Sequence, residues 1–294
     1  MGELLQFFFL GLGRGAIYAT LAIALVIIYR ATGLLNFAQG QMAMFSTYIV
    51  WAFWSAGVPL WPAILLGMVA SFVLGALVER LLIRPVGGTG ENPLPVVIVT
   101  IGLFLALGAL APWIWGLEAK PFPLLFGSGS VTVLDASIDY QTLGLLVMLG
   151  VEVLALWLLF QRTKLGLAMR GVASNAESSA LVGVPVGTML MIGWGLSAAF
   201  GTLAGVSVAN LGIDPNLMLG PLIYAFAAAT LGGFDSPVGA VVGGLIVGVV
   251  TELLAHYVEP IGNDLKLLPA FVLILVVLLV RPQGLFGHLH ARRV

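Results

Sequence analysis

Nine apolar runs, each about as long as a membrane-crossing helix, dominate this chain of 294 residues. They fall at about 4–29, 34–56, 59–83, 94–116, 141–161, 188–210, 217–233, 237–257 and 267–281. A span needs ~20 mostly apolar residues, because backbone polar groups in hydrocarbon must bond within their own helix. Charged residues are only 9% of the chain, against roughly 25% in soluble domains. The runs are continuous rather than alternating, which excludes a β-barrel. The sequence therefore predicts an all-α polytopic bundle of about nine spans, forming one transmembrane domain over residues 1–294. There is no cysteine, hence no disulfide framework and no thiolate metal site. The opening MGELLQ lacks a basic stretch, so a cleaved signal peptide is not expected.

The longest polar segment between apolar halves is Arg162 to Pro185. Within it, Ser174 and Glu177 read as a capping box for a short helix over Asn175–Val182. Gly183 suits a left-handed position after that helix, and Pro185 blocks its continuation. Such a helix is either a surface connector or a knob offered to a partner. Basic residues set the orientation. With the N-terminus outside, Arg30, Arg80, Arg84, Arg162, Lys164, Arg170, Arg281, Arg292 and Arg293 fall inside, and only Lys120 and Lys266 fall outside. This bias puts the 162–185 segment and the C-terminus in the cytoplasm.

Leu34 to Tyr48 is unusual for a span, because Asn36, Gln39, Gly40 and Gln41 cluster near its start. Amides this dense suit a broken or re-entrant helix facing protein or water, or an interfacial helix start in the headgroups. Between Glu118 and Tyr140, alternating Val131, Val133 and Ile138 suggest a short hairpin. Small residues recur every fourth position at Gly193, Ser197, Gly201 and Gly205, and again at Ala240, Gly244 and Gly248, with Glu252 next on that stripe. Gly239 and Gly243 add another pair. This spacing lets helix backbones approach closely in lipid.

Three ionisable residues lie well inside the runs: Arg14, Glu152 and Glu252. Each costs at least ~2.5 kcal/mol at mid-depth unless it faces protein or water. Arg14 and Glu152 are candidates for a charge pair or for the lining of a substrate path; Glu252 lies near an outer end, within reach of water. No catalytic constellation is present. His256, His288 and His290 sit at a span end and in the tail, with no HExxH, GxSxG or paired-carboxylate motif. No Gly-Lys-Ser/Thr of a nucleotide loop occurs either. We expect no catalytic residue, metal or cofactor on this chain.

Several stretches together are similar to the permease subunits of branched-chain amino acid ABC importers, specifically the shorter of the paired permeases. They are GAIYATLAIALVIIYRATGLLNFAQGQMAM (15–44), ERLLIRP (79–85), RTKLGLAMRGVASNAESSALVGVP (162–185), LGGFDSPVGAVVGGLIVGVVTELL (231–254) and RPQGLFG (281–287). The resemblance implies a second permease subunit, two ATPase subunits carrying ATP and Mg, an extracytoplasmic substrate-binding protein, and residence in a bacterial or archaeal cytoplasmic membrane. It implies no nucleic-acid partner. It also implies ATPase coupling through Arg170, Ser174, Asn175, Glu177, Ala180 and Gly183, with Ser178 and Ser179 where related loops carry alanines. The family's Asn-Phe-Ala-His-Gly-Glu run reads Asn36-Phe-Ala-Gln39-Gly40-Gln41 here. With Arg14 and Glu152, these residues are the candidate translocation path. The substitutions leave hydrophobic amino acids, urea and short amides open as substrates. The rival classes are a self-sufficient channel or secondary transporter, and, against the missing catalytic cluster, a membrane enzyme.

Overall fold

The computed structural model describes residues 2–87, 94–133, 136–258 and 265–287; His288, His290, Arg292 and Arg293 lie outside them. In chain order the elements are α1 (Gly2–Thr32), α2 (Gln39–Ser55), α3 (Leu60–Val78), a π-turn (Glu79–Ile83), α4 (Arg84–Val86), α5 (Leu94–Trp115), β1 (Ser130–Val133) and β2 (Ala136–Asp139). There follow α6 (Tyr140–Arg162), α7 (Lys164–Ser174), α8 (Ala176–Leu181), α9 (Val186–Val208), α10 (Leu219–Gly232), α11 (Pro237–Tyr257) and α12 (Leu268–Val280). The π-turn joins α3 to α4 in one rod. The architecture is the expected all-α polytopic one.

All nine apolar runs form helices, but among the described residues only six are long and apolar enough to cross a membrane. They are α1, the α3–α4 rod, α5, α6, α9 extended to Leu211, and α11. The runs at 34–56, 217–233 and 267–281 give helices of 17, 14 and 13 residues. At 1.5 Å per residue these reach about 20–26 Å, short of ~30 Å of hydrocarbon. Local punctuation sets their lengths. A turn over residues 33–38 delays the start of α2, and Gly57, at φ 95°, follows its end before Pro59. Gly233, at φ 101°, stops α10. Arg281 and Pro282 stop α12.

The chain divides into two compact units, and the division runs inside α1 and α6. One unit comprises Ile27–Pro123 and Gly150–Leu219. Its centre is α9, whose small-residue stripe lies against α2: a Cβ on Gly201 would sit 2.9 Å from the Gln39 amide nitrogen, and one on Gly205 would sit 2.8 Å from the Ala43 carbonyl. An adjoining face of α9 meets α3, where a Cβ on Gly75 would sit 2.5 Å from the Trp194 carbonyl oxygen. Trp194, Ala198, Met42 and Ile28 form its apolar core.

The other unit comprises Met1–Val26, Leu124–Leu149 and Gly220–Val294. Here the Ala240-Gly244-Gly248 stripe of α11 packs on α1, with a Cβ on Gly244 meeting the Ala19 backbone at 2.5 Å. Gly239 and Gly243 face Gly232 and Ala228 of α10. The two stripes of α11 thus seat two different helices, as close small-residue contacts in lipid require. The expected hairpin is present, with Val131 opposite Ile138. The segment after α12 folds back on α10: Leu285 and Phe286 donate backbone hydrogen bonds to the carbonyls of Leu231 and Gly232 (2.7 and 3.0 Å). Those carbonyls end a helix and have no partner within it. The LGG and RPQGLFG motifs are therefore one contact, not two independent signatures.

Candidate functional site

The 162–185 segment holds two helices rather than one. Thr163 caps α7 by accepting from the Gly166 amide at 3.0 Å. Ser174 is the last residue of α7 and does not cap α8. The cap is Asn175, whose Oδ1 accepts from the Ser178 amide at 2.8 Å. The capping box expected from Ser174 and Glu177 is therefore displaced by one residue, and the short helix runs over Ala176–Leu181. The reason is α7 itself: its continuation to Ser174 holds that residue in a helix, and only the extended Asn175 (φ −157°) can start the next one. Glu177 remains in the first turn, where a carboxylate suits the positive end of the helix.

At the other end Gly183 adopts φ 87°. Its amide donates to Ala180 and the Val184 amide to Ser179, both at 3.0 Å. This is the Schellman pattern, complete at both bonds. Val184 and Val186 then pack with Met169, Val172 and Met189, tying α7, the turn and α9 together. Leu181 and Val182 point away from this cluster, at 88% and 80% exposure. Arg170 lies on α7 and donates to Gln161 at 3.1 Å. Ala180 is exposed on α8.

The amide cluster faces protein, not headgroups. Asn36, Gln39, Gly40 and Gln41 are all buried. The break in the chain precedes Gln39, and α2 itself runs unbroken from there. Asn36 donates to Gln39 Oε1 (3.1 Å) and accepts from the Ala38 amide (3.0 Å). Gln39 donates to the Ser197 carbonyl (3.1 Å), and the Ser197 hydroxyl donates back to Gln39 Oε1 (3.0 Å). Ser197 was legible only as a packing residue; its hydrogen-bonding role needed α2 opposite.

Arg14 pairs with Glu252 of α11, not with Glu152. Glu252 is buried rather than open to water. Beside the pair, Tyr18 and Tyr224 stack at 4.5 Å, and the Tyr224 hydroxyl donates to the Lys266 carbonyl at 2.8 Å. Glu152 is 3% exposed on α6, so it faces protein as an intramembrane acid should. A second ion pair was missed altogether. Glu79 accepts from Arg84 Nε (3.1 Å) and Nη2 (2.7 Å). Residues five apart diverge on an α-helix, and only the π-turn between these two brings them together.

Buried amides, two ion pairs that each set a buried acid against a half-exposed arginine, and close-packed apolar helices make a polytopic membrane protein with a polar interior, and no cluster able to hold a metal occurs among the described residues. The chain belongs to the family described as "Branched-chain amino acid transport system / permease component", which it matches over residues 7–278. It is 28% identical to the high-affinity branched-chain amino acid transport system permease protein LivH of Salmonella typhimurium, covering 99% of this chain and 97% of that protein. To BraD of Pseudomonas aeruginosa, which carries the same description, it is 30% identical over 97% of this chain and 96% of that one. The galactofuranose transporter permease protein YtfT of Escherichia coli is 28% identical over 92% of this chain and 78% of its own length.

Proposed function

We propose that this chain is the membrane-spanning subunit of an ABC importer of branched-chain amino acids, and that α8 is the helix through which a separate ATPase chain drives it. The carrying observation is α8 itself: six residues, capped at both ends, anchored through Val184 and Val186, and presenting Leu181 and Val182 outward. A helix this short is unstable alone, since isolated helices below ~12 residues are marginal. Two caps and an apolar anchor spent on an exposed peg fit a docking element better than a connector. Arg170, Asn175, Glu177, Ala180 and Gly183 belong to that element; Ser174 only precedes it.

The partners of this reading are a second permease, two ATPase subunits that bring ATP and Mg, and an extracytoplasmic binding protein. The N-terminus is outside and the C-terminus cytoplasmic. In this reading the shorter helices α2, α10 and α12 count as crossings beside the six long ones, and contacts within each unit then join ends on one side: Arg84 with Gly187 and Lys120 with Ile213 in one, Glu3 with His256 and Leu285 with Leu231 in the other. The two units act as one permease domain. Asn36, Gln39, Gly40, Gln41 and Glu152 of one unit contribute to the path, while Arg14 of the other is engaged by Glu252 within its own unit. Within that group Gln39 is committed to Ser197, whereas Gln41 Oε1 is buried with no hydrogen-bond partner among the described residues. That oxygen is the acceptor available to an ammonium or amide in transit. The relationship to a galactofuranose permease keeps other small polar solutes as the second reading.

The test is reconstitution. The chain should co-purify with an ATPase chain, and proteoliposomes should take up leucine only with ATP, that chain and the binding protein. Leucine uptake by the permease alone would make it a self-sufficient transporter. Sidedness is read in the same cells, because the chain has no native cysteine. Ser174→Cys should resist an impermeant thiol reagent applied from outside, and labelling there would invert the topology.

A further inference from the structure

Arg84 reaches beyond Glu79. Its Nη2 also donates to the carbonyl of Gly187 at 2.6 Å. Gly187 lies in the first turn of α9, four residues after Gly183 closes α8. A Cβ on Gly187 would sit 2.9 Å from the guanidinium carbon, so any other residue there would push the end of Arg84 aside from where it now lies across the backbone. Three features thus converge on one contact: a π-turn that aligns Glu79 with Arg84, a two-point fork between them, and a glycine that admits the fork.

We propose that the Glu79–Arg84 pair is a positioning latch that makes α3 follow the first turn of α9, so that displacement of α8 moves both helices together. The proposal rests on reading α8 as the ATPase-docking helix. The link from α8 to the latch is short and stiff. The Schellman turn fixes Gly183 and Val184, and the Thr188 and Met189 amides then bond to the Pro185 carbonyl at 3.0 and 3.1 Å. A push on α8 therefore arrives at Gly187 with little slack. Farther along, Gly75 on Trp194 and Gly195 on Phe72 already hold α3 to α9. The latch is not needed to keep the helices adjacent, and an ion pair with one partner half in solvent adds little net stability. What it adds is a fixed register at the end where the push arrives. Glu79 is 1% exposed, so it is the fixed anchor, and Arg84, with its side chain 42% exposed, is the arm.

The experiment uses the whole importer, with its own ATPase chains, partner permease and binding protein in proteoliposomes, supplied with leucine and ATP. Two mild variants loosen the latch. Gly187→Ala wedges the guanidinium off the α9 backbone while suiting a helix. Arg84→Lys keeps the charge but loses the fork. Docking is read separately, by crosslinking a cysteine at Ser178 on α8 to the ATPase chain. The latch predicts that docking and ATP hydrolysis persist while leucine imported per ATP falls about tenfold, within the usual range of coupling between sites. Unchanged uptake in both variants overturns the proposal. So does a parallel fall of uptake and hydrolysis, which marks a merely structural pair. Absence of the Ser178 crosslink in the otherwise unaltered importer refutes the docking reading itself, before any latch variant is made, and the latch's role falls with it.

Discussion

Arg14 donates to the carboxylate of Glu252, the position that follows Ala240, Gly244 and Gly248 on the small-residue stripe of α11. The glycines bring the backbones of α1 and α11 together, and where the stripe ends an acid meets the arginine. Removing Arg14 leaves the buried Glu252 carboxylate without its partner, and removing Glu252 leaves a cation on a tightly packed apolar helix pair.

Arg14→Leu and Glu252→Leu should therefore each destabilise the permease, and Arg14→Leu/Glu252→Leu should recover much of the loss. Thermal unfolding in detergent, arranged as a double-mutant cycle, should give a coupling of about 0.5–3 kcal/mol. Additive losses would show that the pair contributes no interaction of its own.

Gln39 and Ser197 hold α2 to α9 by reciprocal bonds. Gln39→Leu removes both bonds of this exchange from a buried site, a cost of about 1–3 kcal/mol. Ser197→Ala, which removes the smaller partner from the same exchange, should cost less. The melting temperatures of the two variants check the order.

For α8, Asn175→Ala should cost about 0.5–2 kcal/mol of local helix stability, and Ser174→Ala should cost clearly less. Gly183→Val forces a β-branched residue into φ 87° and should cost about 1–2 kcal/mol. Neither position lies in a span, so insertion should survive while coupled ATP hydrolysis and uptake fall. Equal rates in Asn175→Ala, Gly183→Val and the parent would reduce α8 to a connector.

Glu152 is the remaining buried acid of the proposed path. Glu152→Leu should lower leucine uptake or assembly with the partner permease. Unchanged uptake at unchanged expression would remove it from the path.

The apolar helices, though not how many of them cross a membrane, the hairpin and the glycine stripes were legible because each is written within a single segment. Fourth-residue spacing of Gly and Ser marks a helix face whatever the neighbour is. Gly183 was legible for the same reason, since a left-handed residue before Val-Pro is a local demand. The cap was misread by one residue because α7 upstream extends to Ser174, a cooperative effect that no four-residue motif reports. The length of the short helices was also hidden, since hydropathy continues past the turns that end them.

Composition and apolar periodicity by themselves determined that this chain is an all-α membrane protein, where its helices lie and which faces pack closely. Tertiary structure alone decided the partners. It gave Arg14 to Glu252 rather than Glu152, turned Ser197 toward Gln39, joined LGG to RPQGLFG, and used a π-turn to bring Glu79 and Arg84 into register. The physical reason is one of range. A helix face is set by bonds between residues three or four apart, whereas the partner of that face is set by the summed packing of segments up to two hundred and more residues away, as Arg14 and Glu252 are.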